Sequence, residues 1–599
     1  MSQKKQQLSL TWDLEGFFPG GSASPQFQEY LSTLGQDLES LDAQIRQLLG
    51  KSLEDLTICE EIVQQVQVIA SRLGEAVAFI ECLEAQDMTD KGADILFGRV
   101  RQLGARYNTI LTKLDKLLLE MDEAHWNNLL QDSRFTPIAF NIAERRQRAL
   151  EKLTAPEESL AGDLAVDGYH AWSKMYSTLV GRMTIPFEDN GVIHQLSVGQ
   201  ANNKLHHPDR AVRKQIFSSY EKSWQEEEDL VATTLNHLAG FRINLYRHRG
   251  WDSVLKEPLN MNRMSEKTLA TMWGVIDHNK EKLLQFFKRK AEILGVEKLA
   301  WYDIYAPVGQ EEGKEIGYDE AADFITDQFR RFDPRLAAFA EKAFQEQWIE
   351  AEDRAGKQPG GFCTSFTESE ESRIFLTYSG TMSNISTLAH ELGHAYHDDV
   401  MKGLPHLVKE YAMNVAETAS TFAELIVSDA AIREAKSKEE KITLLENKIQ
   451  NTVGFFMDIH CRFLFETRFY EERKQGLVSA ERLSELMEEA QKEAFMDSLS
   501  EYHPRFWASK QHFYNTFFPF YNFPYTFGYL FSMGIYGNAL EVGTSFADQY
   551  VHLLQDTGRM TTEELAKKHL GVDLTRPEFW QQAVDPIQAD IDQFLELTS

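Results

Sequence analysis

Two histidines four residues apart constrain this chain more than any other feature: His390 and His394, in the run His390-Glu391-Leu392-Gly393-His394. That spacing sets both imidazoles on one face of an α-helix, about 6 Å apart. Two neutral imidazoles so placed can share one Zn²⁺, with Glu391 beside the metal-bound water. A catalytic zinc takes three protein ligands and keeps a fourth position open, so the fold must bring a second element against this helix. The flanking residues support the helix itself. Gly380-Thr381-Met382-Ser383-Asn384 supplies turn and N-cap residues. Ile385, Leu388, Ala389, Leu392 and Ala395 then recur at three- and four-residue steps, the mark of a helix buried along one stripe. An accidental motif of this kind belongs more often to an exposed, charged helix.

The third ligand is sought first on the same helix. His397 shares a face with His390, but seven residues of helix rise about 10.5 Å, too far for one ion to bridge. No His-x-x-Gly-x-x-His continuation returns a third histidine, so His397 reads as an outer or structural residue. The run from Tyr411 to Glu424 offers more. Small residues at 412, 416, 419, 420 and 423 allow close approach to a neighbouring helix, and Glu417 follows His394 by enough chain for an antiparallel return. Glu424, seven residues later on the same face, is placed to accept a hydrogen bond from a ligating imidazole. Both glutamates could instead be solvated, but an acidic pair in an alanine-rich, apolar helix favours the ligand reading for Glu417.

With these residues in hand, HELGHAYH (390–397) followed by NVAETASTFAE (414–424) resembles the oligoendopeptidase F branch of the thimet oligopeptidase family of zinc metallopeptidases. Leu10-Thr11-Trp12-Asp13-Leu14, His207-Pro208-Asp209-Arg210-Ala211-Val212-Arg213, Trp301 to Pro307 and the aromatic tract 512–531 look like further segments of that branch, so the resemblance spans essentially the whole chain. It implies a zinc metalloendopeptidase with one Zn²⁺ per chain, hydrolysing internal bonds of short peptides through a zinc-bound water activated by Glu391. In the tract HFYNTFFPFYNFPYTFGYLF most rings read as core or channel wall. The resembled family uses a histidine and tyrosines of this region to stabilise the oxyanion of peptide hydrolysis. His512 is the best match for that histidine, and Tyr521, Tyr525 and Tyr529 are the candidate donors. The spacing here departs from the family's through extra residues around Phe520–Pro524, which leaves the individual roles open.

Glu371 to Tyr378, bounded by Gly360-Gly361 and Ser379-Gly380, reads as a strand just before the zinc helix. It is either an interior strand or an edge that adds a peptide substrate through main-chain hydrogen bonds. The resemblance favours the edge, with Leu376, Tyr378 and Gly380 as substrate-binding positions.

Elsewhere helical patterns dominate. Residues 26–184 read as long amphipathic helices, such as Phe27–Leu49 and Leu53–Leu83, and a further helical stretch runs from Ala201 to His248. Asp189-Asn190-Gly191 marks a turn between Thr184–Phe187 and Val192–His194, the signature of a small hairpin. The expected fold is mainly α: a large helical body enclosing a deep substrate channel, with a small β-sheet beside the zinc helix. A soft boundary separates an N-terminal helical region, 1–184, from a catalytic region, 185–599.

A hydrophobic content of 43% over 599 residues is ample for such a core. A net charge of −30 argues against nucleic acid or anionic membranes as partners and says little about substrate; short peptides are the partners that the resemblance implies. Four scattered cysteines, no apolar leader in MSQKKQQLSLTWD and no 18-residue apolar run point to the cytoplasm. Two other readings compete. A zinc carboxypeptidase of similar build would need a cation for the substrate's terminal carboxylate, with Arg373 or Arg505 as the available residues. A non-catalytic helical peptide-binding protein would have no need of Glu391.

Overall fold

A computed structural model describes residues 7–51, 55–309 and 315–599. The fold is mainly α, with two small sheets. Three long helices lead: α1 (Pro25–Leu48), α2 (Leu56–Gln86) and α3 (Lys91–Glu120). Each starts where a side-chain oxygen of Ser24, Asp55 or Asp90 accepts a free backbone N–H of its first turn. In α1, Phe27, Leu31, Leu34, Leu38, Leu41 and Ile45 recur every three or four residues and form its buried stripe. The expected helix start at Leu53 lies outside the described residues, as do residues 1–6 of the N-terminal run.

The hairpin forms as β1 (Ile185–Asp189) and β2 (Val192–Leu196), with Ile185 opposite Leu196. Asn190 and Gly191 both take positive φ, 51° and 82°, as a tight two-residue turn between twisted strands requires. The helical stretch expected from Ala201 to His248 is broken. A short helix ends at Lys204, and α4 (Arg210–His248) begins afresh. Pro208 has no N–H to continue a helix, and the Asp209 carboxylate caps the new one by accepting from Ala211 N at 2.8 Å.

The second sheet holds β3 (Ile349–Glu350), β4 (Phe362–Phe366) and β5 (Glu371–Phe375), in the order β3-β5-β4. The strand preceding the helix of His390 and His394 is therefore central, not an edge: β3 pairs parallel on one side and β4 antiparallel on the other. The short β3 carries too little pattern to be seen in sequence, and it changes the assignment. Beyond β5 the backbone stays engaged. Leu376 N donates to Glu350 O at 2.9 Å, Tyr378 N to Ala351 O at 3.0 Å, and Gly380 O accepts from Ile316 N at 3.0 Å. Leu376, Tyr378 and Gly380 are thus withdrawn as a strand-like substrate rail.

β5 is covered on both faces, with Ser372, Arg373, Ile374 and Phe375 all buried. Ile374 enters the larger apolar cluster, which extends from Ala165 to Phe594, while Phe375 enters a second cluster built mainly from residues 12–142. The sheet therefore ties the N-terminal helices to the rest of the body.

Five helices frame the remaining argument: α5 (Met382–Val400), α6 (Met413–Glu434), α7 (Lys438–Val453), α8 (Ile459–Arg473) and α9 (Phe523–Val542). α6 is buried on nearly every side, packed between α5 and α9. Gly393 lets α5 and α6 touch backbone to backbone. A Cβ there would sit 2.4 Å from Ala419 O and 2.6 Å from Ser420 Cα, both backbone atoms that cannot swing aside. Gly393→Ala should therefore force the helices apart and destabilise the protein by about 3 kcal/mol, the upper end of overpacking costs. Urea unfolding checks this, and an unchanged midpoint would show that the contact is not tight. Among the described residues, no helix is long and apolar enough to cross a membrane.

Candidate metal centre and substrate cavity

Thr381 starts α5 by accepting from Asn384 N, while the Asn384 side chain reaches back to Thr381 N. Three turns on, His390 and His394 project from the face that meets α6, with ring centroids 5.0 Å apart. His390 Nε2 lies 3.1 Å and His394 Nε2 3.4 Å from one oxygen, Glu417 Oε2. All three donor atoms fall within 4.8 Å of one another. Ligands on a tetrahedral ion with bonds of about 2.0–2.1 Å stand roughly 3.3 Å apart, and the two imidazole–carboxylate distances match that spacing. Two imidazoles and a carboxylate are also the donor types zinc takes at catalytic sites.

The surroundings orient these groups. Ser420 Oγ donates to Glu417 Oε2 at 2.8 Å. His390 Nδ1 lies 3.3 Å from Glu424 Oε2, and a proton there leaves Nε2 with its lone pair facing Glu417 and His394. Burial works against charge on His390, but the hydrogen bonds to Glu417 and Glu424 outweigh it and hold the imidazole well above its ordinary value. Burial likewise opposes the Glu417 carboxylate, yet the two imidazoles hold it far below the usual carboxylate range. Glu417 therefore stays ionised, the form in which a carboxylate ligates a metal.

Glu391 is only 6% exposed, and burial raises its carboxyl above the ordinary value. It points toward the start of β4, where a Cβ on Gly361 would come within 3.6 Å of Glu391 Oε1. His397 does not join the donors. It is fully buried, stacked on Tyr411 at 4.2 Å, with Nε2 near Thr557 Oγ1 at 3.0 Å, and burial pushes its imidazole down to about 3.

His390, Glu417 and Glu424 open onto a cavity of about 660 Å³, whose wall also includes Tyr525 and Tyr529. The Tyr525 hydroxyl donates to that of Tyr521 at 2.9 Å, and burial raises the Tyr525 phenol so that it stays protonated. Tyr529 shows its ring to the cavity, but its hydroxyl pairs with Thr452 Oγ1 at 2.8 Å and its ring stacks on Phe455. His512 packs on Tyr521, ring to ring at 4.9 Å, and its Nδ1 meets Asn522 Oδ1 at 2.6 Å; neither His512 nor Tyr521 is among the residues lining the cavity. Among the described residues of the cavity wall, the one lysine or arginine is Lys448, held by Asp429 and Asp590 at 2.6 and 2.7 Å. Arg373 is buried against Glu371 and Asp13 O, and Arg505 pairs with Glu221 and Glu228; neither lines the cavity.

The sequence profile of peptidase family M3 matches residues 204–585. The chain belongs to peptidase family M3. A profile named oligopeptidase F matches residues 118–185, and the relatives place the chain in the oligoendopeptidase F branch of M3. It is 22% identical to oligopeptidase PepF of Bacillus subtilis, over 98% of this chain and 87% of that protein. It is 20% identical to an oligoendopeptidase F homologue of Lactococcus lactis, over 100% and 99% of the two chains. The fold is shared with oligoendopeptidase-F from Enterococcus faecium at a TM-score of 0.70, 18% identity and 96% and 98% coverage. As a member of M3, the protein is a metallopeptidase, and peptides are its substrate class.

Three contributors to this M3 site escaped the sequence reading. Gly393 lies inside the motif yet counts there as a free position. Gly361 was visible only as part of a Gly-Gly turn signal. Asn522 carried no signal at all, because its importance comes from a partner sixty residues away.

Proposed function

We propose that this chain is a zinc-dependent endopeptidase that hydrolyses internal bonds of short oligopeptides. The observation that carries the reading is the convergence of His390, His394 and Glu417, donor atoms within 4.8 Å of one another, with His390 and Glu417 on a cavity wall. These three residues would hold one zinc per chain, with Glu424 orienting His390. Bound there, zinc supplies the Lewis acidity that polarises a peptide carbonyl and acidifies a neighbouring water. Glu391 accepts the proton of the attacking water and delivers it to the departing amine. Its raised affinity for protons suits both halves of that transfer. The hydrogen-bonded Tyr525–Tyr521 pair offers its one free phenol O–H to the negative charge that develops on the carbonyl oxygen. Tyr529, its hydroxyl engaged by Thr452, shapes the wall.

The cavity has the volume of a ligand pocket, room for a peptide segment and not for a folded chain. Its lysine is already paired twice, so among the described residues of its wall no cation stands ready for a terminal carboxylate. That favours internal cleavage over a carboxypeptidase. An end-blocked, internally quenched peptide tests the proposal. Chelation should lower its cleavage by at least roughly a hundredfold, as loss of several kcal/mol of transition-state stabilisation requires, and stoichiometric zinc should restore it. Cleavage confined to peptides with free C-termini would establish the carboxypeptidase instead, and zinc-dependent binding without turnover a peptide-binding protein.

A further inference from the structure

Asn522 links the aromatic side of the cavity to a buried ion pair, and its hydrogen bonds decide which nitrogen of His512 carries the proton. Asn522 Oδ1 lies 2.6 Å from His512 Nδ1 and 3.0 Å from Arg462 Nη1. A side-chain amide can face its neighbours either way round, so its orientation must be read from a partner whose chemistry is fixed. Arg462 is such a partner, because a guanidinium has five N–H donors and no acceptor. It cannot turn away, since the Asp458 carboxylate accepts from its Nε at 3.0 Å and also from its Nη2. Asp458, Arg462 and Asn522 are all buried.

Reversing the amide would set Asn522 Nδ2 against a donor-only nitrogen and leave Oδ1 without a donor. The orientation present leaves Nδ2 buried with no partner, a cost that persists because the alternative is worse. Oδ1 therefore faces both Arg462 and His512, and His512 Nδ1 must be the N–H. Burial pushes this imidazole down to about 4; the Asn522 bond and Asp458 oppose the shift, and Lys510 and Arg462 reinforce it. The ring is neutral near pH 7, and a neutral ring with its proton on Nδ1 has a bare Nε2.

We propose that Asn522, locked by Arg462, is a positioning residue that holds His512 as the neutral Nδ1–H tautomer, with Nε2 a hydrogen-bond acceptor. His512 then serves a peptide N–H or a tyrosyl O–H, and donation to the oxyanion falls to the Tyr525–Tyr521 pair. This reverses the role that the family resemblance implied for His512. Only the identity of the group that Nε2 meets rests on the peptidase reading; the tautomer stands on the hydrogen bonds alone.

The test is ¹⁵N NMR of full-length, zinc-loaded protein carrying ¹⁵N-histidine, with His512→Gln identifying the ring signals of His512. A protonated-type shift at Nδ1 and an unprotonated-type shift at Nε2 are expected near neutral pH; the reverse pattern overturns the inference. Asn522→Leu should mix the tautomers and lower kcat by about tenfold or more, with KM within about twofold, the scale on which outer partners of functional imidazoles act. An unmixed Nδ1–H tautomer in that variant would remove Asn522 from the role. Should Asn522→Leu fail to fold, Asn522→Asp decides. Its carboxylate should stabilise the imidazolium and move the His512 titration to higher pH, and an unmoved titration counts against the proposal. A wild-type spectrum of the expected form together with full cleavage by His512→Gln would uphold the tautomer while taking His512 out of the peptidase site.

Discussion

Glu391→Gln should bind zinc as the parent protein does and lose roughly a thousandfold in kcat/KM, about 4 kcal/mol of transition-state stabilisation. Three facts set the size of that effect. The residue follows His390 directly and precedes His394 by just under one turn, on a helix whose course is fixed by backbone contact at Gly393, so its place beside the two imidazoles is set by the fold. It is nearly buried, which raises its affinity for a proton and makes it an effective base. Glutamine also keeps its shape against the Gly361 turn, so packing is preserved while proton acceptance is removed. Metal analysis beside cleavage of the quenched peptide separates the possibilities. One zinc per chain with full activity would sink the assignment of Glu391 as base, and loss of zinc would move Glu391 into the ligand set.

Helical regions were legible wherever apolar residues recur at a steady step. The stripe of α1 and the capped start of α5 follow from spacing and from side chains that satisfy free amides. The hairpin was legible because Asn190-Gly191 tolerates positive φ. The strand over 371–375 and a small sheet around it were legible too, but not the strand's central place, because β3 is two residues long and no periodicity survives at that length. Its presence turned a supposed edge into a central strand. The metal cluster was legible because helix geometry excludes His397 and the acidic pair in the small-residue, apolar run 411–424 offered a donor from a neighbouring helix. The aromatic wall was not. Whether a tyrosine hydroxyl faces substrate or a neighbour depends on tertiary partners such as Thr452 for Tyr529, and no local rule supplies those. His512 shows the same limit more sharply, since its protonated nitrogen is set through Asn522 by Arg462 on another helix.

Glu417→Ala should lose zinc. The carboxylate is the one donor that α6 contributes, and it faces both imidazoles at 3.1 and 3.4 Å. Without it, two neutral nitrogens remain on α5, a pair that lacks the charge to offset a divalent ion. The loss in affinity should exceed the 10–100-fold that removal of an outer-shell partner typically costs, which is the loss expected for Glu424→Gln. Each tenfold loss removes about 1.4 kcal/mol of the stability that bound zinc adds, so the zinc-dependent rise in melting temperature should shrink in the order wild type, Glu424→Gln, Glu417→Ala. The fold itself should tolerate the change. Glu417 is partly exposed to the cavity, and its neighbours Ser420 and Gly528 ask only that space be left for them. Dialysis followed by metal analysis reads retention directly, and thermal melts with and without zinc read the linkage. Wild-type zinc content in Glu417→Ala, with an undiminished thermal response, would require another residue to complete the site.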